Sequence, residues 1–170
     1  MNKLRYIFLD VDGTLTDGGV YYDDTGNEIK KFCTKDGTGI QLAKMAGIVP
    51  VVLTGRECKA TSRRMNELGV SHIYQNVKDK KEFLQEWITE HKVCSSDIGY
   101  IGDDVNDIAS MRLCGFVACP SDAVDDVKDI ADYISNINGG YGVVRDVVKY
   151  ILMNPGSWNE VLNSTYNCGI

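Results

Sequence analysis

Tyr6-Ile7-Phe8-Leu9-Asp10-Val11-Asp12-Gly13-Thr14 is the stretch on which the reading of this chain turns. Four successive apolar residues predict a strand buried on both faces, the kind found inside a parallel sheet. Two acids follow at once. Because strand side chains repeat with period two, Asp10 and Asp12 leave the strand on one side of the chain, and Gly13 permits a sharp departure behind them. Similar apolar runs recur at 49–54, 72–75, 99–102, 116–119 and 133–135, separated by segments with helical spacing. One helix is expected from an Asp36 cap to a Gly47 stop, a second from Glu57 to a Gly69 stop, and a third from Asp79 to His91, with Trp87 and Phe83 in the core. Others follow Asn106, Ala123 and Gly142. This alternation predicts an α/β fold, a Rossmann-like three-layer α/β/α arrangement around a parallel sheet.

Two segments stand outside the alternation. Residues 20–32 hold two β-rich runs around an Asp/Gly/Asn turn and read as an inserted hairpin, spanning about 19–33, with no large cap domain elsewhere. Its Val20, Tyr21, Tyr22, Ile29 and Phe32 are more apolar than a solvated ribbon needs, so packing against another subunit is expected. The second segment is a tail, 154–170, behind a domain of residues 1–153. There Ser157 and Glu160 suggest a capping box before a short helix that is mobile or docks on a partner.

Composition narrows the function classes. The 170 residues, 44% hydrophobic and 25% charged, match one ordinary globular domain and exclude a disordered chain. A net charge of −6 is a poor match for a polyanion, so no nucleic acid partner is expected. The six cysteines show no C-x-x-C pair or ligand pattern, which argues against zinc or a redox dithiol. Met1-Asn2-Lys3-Leu4-Arg5 leads into a strand rather than a signal peptide, and no window reaches the roughly 18 apolar residues of a membrane span. A cytoplasmic location, with no membrane partner, is the resulting expectation.

In an open parallel sheet, ligands bind beyond the carboxyl ends of the strands. The fourth run ends Gly102-Asp103-Asp104-Val105-Asn106-Asp107, a second acidic group. If its strand neighbours the first, four or five carboxylates converge, which is costly without a hard divalent cation, Mg²⁺ being the natural choice. Thr54 and Gly55, read as lying where a helix begins, offer a hydroxyl and a backbone N–H to an anionic oxygen. Lys80, with Lys81 as its competitor, can add a positive charge. Together these describe a phosphoryl-transfer site.

The ordered set Asp10-Val11-Asp12-Gly13-Thr14, Thr54, Lys80 and Gly102 to Asp107 resembles the four motifs of the haloacid dehalogenase superfamily of aspartate-nucleophile phosphatases. The resemblance implies a catalytic set of Asp10, Asp12 and Lys80, with Asp10 as nucleophile and Asp12 as acid/base. It also implies Mg²⁺ held by Asp10, the Asp12 carbonyl and Asp103, supported by Asp104 and Asp107. Thr54, Gly55 and Lys80 would bind phosphoryl oxygens. On this reading Asp10 stays ionised through the metal, while weaker cation contact leaves Asp12 protonated on arrival.

The hairpin, the run 32–40, Arg56 with Arg64, and the Asn138-Gly139-Gly140 loop look like the small-cap group that hydrolyses 2-keto-3-deoxy sugar acid phosphates. That resemblance implies a phosphorylated sugar acid substrate, 3-deoxy-D-manno-octulosonate 8-phosphate, and a homotetramer in which a neighbour's hairpin helps to close each site. Arg56 and Arg64 become substrate contacts, with Arg63 as a rival, and Gly139 shapes the site. Two alternatives stay open: a nine-carbon nononate or neuraminate 9-phosphate as substrate, and a non-catalytic oligomerisation module of the same fold. Thr14, where small-cap relatives often have Val, is a departure from the subgroup.

Overall fold

A computed structural model describes residues 4–153 and 156–169. Met1, Asn2, Lys3, Asn154, Pro155 and Ile170 lie outside the described residues. In chain order the strands are β1 (Tyr6–Leu9), β2 (Tyr21–Tyr22), β3 (Glu28–Ile29), β4 (Val49–Leu53), β5 (His72–Tyr74), β6 (Ile98–Ile101), β7 (Phe116–Cys119) and β8 (Tyr133–Ile134). The helices are α1 (Thr34–Met45), α2 (Lys59–Glu67), α3 (Lys80–His91), α4 (Val105–Met111), α5 (Asp125–Lys128), α6 (Val143–Met153) and α7 (Trp158–Tyr166). The main sheet is parallel, in the order β5-β4-β1-β6-β7-β8, and β2 pairs antiparallel with β3. This is the expected α/β arrangement around a parallel sheet, with its inserted hairpin.

The strands are apolar throughout because helices cover both faces. Ile7 and Leu9 pack into one core with Leu42 of α1, Met65 of α2 and Val147 of α6, while Phe8 points into the other with Leu84 and Trp87 of α3. The Trp87 ring meets Phe8 edge-on, 5.1 Å between centroids. Each such side chain, wholly buried, contributes about 1.5–3 kcal/mol. Phe83 is only half-buried, against Tyr74. His72 and His91 both pack on the Trp87 ring.

Strand order positions the site. From β1 the chain works outward through β4 and β5, and α3 then carries it back to β6 on the other flank of β1. The connections leaving β1 and β6 diverge, which opens a crevice at their carboxyl ends. Leu9 is in register with Ile101 on one side and Val52 on the other, so residues 10, 102–103 and 53–54 share that edge.

Several expected helix ends are corrected. α1 begins at Thr34, not behind Asp36. The buried Asp36 carboxylate instead serves another helix, accepting the Arg145 N–H at the start of α6 at 3.0 Å. Burial raises Asp36 to about 6 against the backbone N–H bonds of Arg145, Val144 and Gly142. α2 begins at Lys59, and residues 55–58 form a loop tied to the β5 side: Gln75 accepts the Cys58 N–H at 2.9 Å and Lys78 reaches the Gly55 carbonyl at 2.9 Å. Ser157 makes no side-chain cap; its hydroxyl donates to the Leu152 carbonyl at 3.2 Å. The tail helix packs onto its own chain, with Trp158, Val161 and Leu162 buried in the core beneath α6. The Arg145 guanidinium lies 4.4 Å above the Trp158 ring.

Candidate active site

Where β1 ends, the Asp10 N–H donates to the Ile101 carbonyl at 3.0 Å, which locks the two strand tips together. The chain then makes a wide turn, Val11–Leu15, broken by Asp12 and by Gly13 at φ 91°. Only glycine fits there: the conformation is left-handed, and a Cβ would strike the Asp103 carboxylate. Thr14 donates to Asp103 Oδ1 at 2.9 Å. The Asn138-Gly139-Gly140 loop lies directly on this turn, with the Gly140 N–H on the Thr14 carbonyl at 2.9 Å and no room for a Cβ at Gly139 beside the Gly13 carbonyl.

Three elements bring charge to Asp10. Asp79 caps α3 by accepting the Glu82 N–H at 2.8 Å, which aims Lys80 inward, while Lys81 stays exposed. The Lys80 ammonium reaches Asp10 Oδ1 at 2.7 Å and Asp107 Oδ1 at 2.6 Å. Asp107, in the first turn of α4, is wholly buried and also accepts the Tyr100 hydroxyl at 2.8 Å. Asp104 is exposed and serves the α4 start through the Val105 N–H at 2.7 Å, and its charge acts on this group through Asp103.

Carboxylate oxygens of Asp10, Asp103 and Asp107 all lie within 4.8 Å of one another. Burial, with the charge of Asp107, raises Asp10 to about 7 despite Lys80. Burial, then the charge of Asp10, raises Asp103 to about 8. Lys80 is held above the ordinary lysine value because the two carboxylates outweigh its burial. Three converging acids share one ammonium, and all the donors are hard oxygens, a set that fits Mg²⁺. Asp10 and Asp103 would hold it with the Asp12 carbonyl; Asp107 lies closer to this centre than the sequence suggested.

These raised values predict a pH-dependent effect of the metal. Folded, Asp10 and Asp103 keep protons that an unfolded chain releases near pH 4, so this stabilisation is complete below about pH 4 and is lost as pH rises through 7 and 8. MgCl₂ is therefore expected to raise the Tm of EDTA-treated protein by about 3 °C or more at pH 8 and hardly at all at pH 5.5. Thermal melts at both pH values check this; equal shifts would contradict it.

Asp12 sits in a second charged group built by the chain's own hairpin. The Lys30 ammonium, its side chain 1% exposed, contacts Asp12 Oδ1 and lies 2.9 Å from Glu28 Oε1. Arg56 reaches Glu28 at 3.2 Å and approaches Asp12 Oδ2 at 3.9 Å. Each catalytic acid thus has a lysine of its own beside it, Lys80 at Asp10 and Lys30 at Asp12, because the ribbon folds back over its own site. Its alternation divides two adjacent lysines: Lys30 enters the site, while Lys31 goes to Asp17 at 3.3 Å and over the Tyr141 ring at 3.5 Å.

Thr54 is buried at the end of β4, and its hydroxyl accepts the Arg56 N–H at 3.5 Å. Gly55 and Arg56 lie in the loop before α2, not at a helix start, so Arg56 and Arg64 do not share a helix. Arg56 belongs to the Asp12 group. Arg64 lies against Gly37 of α1 and pairs with Glu67 at 3.4 Å, and exposed Arg63 takes the same glutamate at 3.1 Å. Sequence reasoning missed Lys30, Glu28 and Tyr100. The signal for the first two was available: residues 28 and 30 share one face of the ribbon. Tyr100 is a hydroxyl inside an otherwise apolar strand.

Comparison with known proteins agrees with this geometry. Residues 71–146 match the model of the haloacid dehalogenase-like hydrolases. The 3-deoxy-D-manno-octulosonate 8-phosphate phosphatase of Escherichia coli K12 is 34% identical over 158 residues, covering 93% of this chain and 84% of that protein. The enzyme of that name from Yersinia pestis is 35% identical over 151 residues, 89% of this chain and 81% of its own. Among solved structures, the 3-deoxy-D-manno-octulosonate 8-phosphate phosphatase of Moraxella catarrhalis, in complex with magnesium, phosphate and KDO, superimposes with a TM-score of 0.90 at 34% identity, over 95% of this chain and 92% of that one. With its strand order, its paired acidic strand ends and these relatives along nearly its whole length, the chain belongs to the haloacid dehalogenase-like hydrolases.

Proposed function

We propose that the chain is a Mg²⁺-dependent phosphatase that hydrolyses 3-deoxy-D-manno-octulosonate 8-phosphate through an aspartyl-phosphate intermediate. The observation that carries the chemistry is the convergence of Asp10 and Asp103 from adjacent strand ends, with Lys80 bridging Asp10 to Asp107. Relatives named for this substrate support the choice of sugar. So does Arg56, beside Glu28 at the mouth of the site, a cation suited to a substrate that carries a carboxylate as well as a phosphate.

Bound by Asp10 and Asp103, Mg²⁺ supplies positive charge where a carboxylate must approach a phosphate dianion. Lys80 adds its own charge beside Asp10 Oδ1. Thr54 and Gly55 hold phosphoryl oxygens. Asp10 attacks phosphorus, and the ester P–O bond breaks as Asp12 delivers a proton to the departing sugar oxygen. A water then attacks the phosphorus, Asp12 takes its proton, the Asp10–phosphate bond breaks and inorganic phosphate leaves. We place the enzyme in the cytoplasm as a homotetramer, with residues 1–153 as the catalytic domain. The exposed Val20, Tyr21, Tyr22 and Ile29 of the hairpin offer a contact surface.

Parallel assays of eight- and nine-carbon 2-keto-3-deoxy sugar acid phosphates test the substrate. A kcat/KM at least about tenfold higher for the octulosonate phosphate is expected. Preference for a nine-carbon phosphate would reassign the substrate, and no turnover of any with Mg²⁺ would leave a non-catalytic module.

A further inference from the structure

Lys30 belongs to none of the four ordered motifs, yet its ammonium rests on the side chain given the proton-transfer role. A lysine that merely tethers a surface ribbon keeps its head in water, as Lys31 does at 46% exposure beside Asp17. The Lys30 side chain is 1% exposed; its ammonium donates to Asp12 Oδ1 and forms an ion pair with Glu28, which also pairs with Arg56. Two acids and two bases make a closed, neutral set, so the ammonium has a defined position rather than a choice of partners. Asp12 Oδ2, by contrast, is a buried oxygen that accepts no hydrogen bond and has only the more distant Arg56 charge, at 3.9 Å, beside it. The terminal torsion of an aspartate is broad and nearly two-fold, so an unrestrained Asp12 would exchange its two oxygens freely.

We propose that Lys30 is a positioning residue for the reaction: it holds Asp12 Oδ1 and thereby commits Oδ2 as the oxygen that hands a proton to the leaving group. The proposal rests on the reading of Asp12 as leaving-group acid and deepens it. Glu28 is the anchor that keeps Lys30 in place. The hairpin thus completes the site of its own chain, whatever it does for a neighbour's.

Leaving-group dependence isolates this role, because an alkoxide needs the proton and 4-nitrophenolate does not. The quantity read is the ratio of kcat/KM for glycerol 3-phosphate to that for 4-nitrophenyl phosphate, at saturating Mg²⁺; neither ester carries a carboxylate that Lys30 could bind. In Lys30→Met the ratio is expected to fall about tenfold, and in Lys30→Arg to recover to within about threefold of the original. Equal losses on the two esters, or none, would reduce Lys30 to a tether and overturn the proposal. Should Lys30→Met fail to fold, Glu28→Gln provides the reading through the released anchor: a fall of about threefold supports the inference, and an unchanged ratio overturns it. Asp12→Asn separates the two levels of argument. It should depress the ratio about a hundredfold; if it does not, the role given to Asp12 is wrong, and if it does while Lys30→Met leaves the ratio unchanged, only the role of Lys30 is lost.

Discussion

Asp10→Asn is expected to lower Mg²⁺-dependent phosphate release by about a thousandfold or more, while the variant elutes from size-exclusion chromatography with light scattering at the same mass as the original protein, that of four chains. An amide is nearly the same shape as a carboxylate, so the Asp10 N–H bond to Ile101 and the packing of β1 are untouched. What disappears is the nucleophile and one charged metal ligand. Lys80 keeps Asp107 at 2.6 Å and is not orphaned. The substitution also removes the repulsion between buried Asp10 and Asp107 that helps to raise Asp10 to about 7, so metal-free stability at pH 8 should hold or improve. An enzyme that turns over normally with asparagine at this position would exclude Asp10 as nucleophile. A mass other than that of four chains for the original protein would end the tetramer proposal without touching the chemistry.

Lys80→Met should be the most damaging substitution for the fold. The lysine is buried, and its ammonium is the cation in direct contact with Asp10 and Asp107. Methionine fills similar space but leaves both carboxylates uncompensated. Breaking a buried ion pair from one side costs about 3–5 kcal/mol, which for a chain of this size lowers the Tm by about 10 °C. The sign of its pH dependence follows from Asp10: without Lys80 its burial and the charge of Asp107 push the carboxyl further up, so acid lets it take up a proton and escape the repulsion, and rising pH withdraws that escape. The loss should therefore be larger at pH 8. Mg²⁺ should restore part of the Tm, while turnover stays about a hundredfold or more below the original, because the charge beside the Asp10 nucleophile is gone. A Tm unchanged at pH 8 would show that the carboxylates do not depend on Lys80.

How far the site could be read from residues alone varies along the chain. Asp10, Asp103 and Lys80 were legible because each stands at a boundary that local rules locate: the end of an apolar run, or the residue after a helix cap. Asp107 was assigned a lesser part because its role depends on α4 turning inward, where Lys80 and the Tyr100 hydroxyl meet its Oδ1. Arg64, expected as a substrate contact, pairs within the chain with Glu67. The helix expected over residues 57–69 begins only at Lys59, because the Gln75 and Lys78 bonds hold residues 55–58 as a loop, and Arg64 falls against Gly37. Asp36 was misread for a similar reason: a carboxylate near a helix start looks like that helix's cap, and only packing reveals that it serves α6.

Period-two and helical hydrophobicity, punctuated by glycine and acidic residues, sufficed to determine the parallel sheet, its helices and the inserted ribbon, because these signals concern neighbours within a few residues. Tertiary structure alone decided which strands adjoin, and so that residues 10 and 103 face each other across 93 positions of chain. It also decided that the ribbon folds back to set Lys30 on Asp12 and that the tail helix closes the core beneath α6. Contacts of that kind are made between distant segments by shape and charge; a local pattern can say that residues 28 and 30 share a face, but not which distant group that face meets.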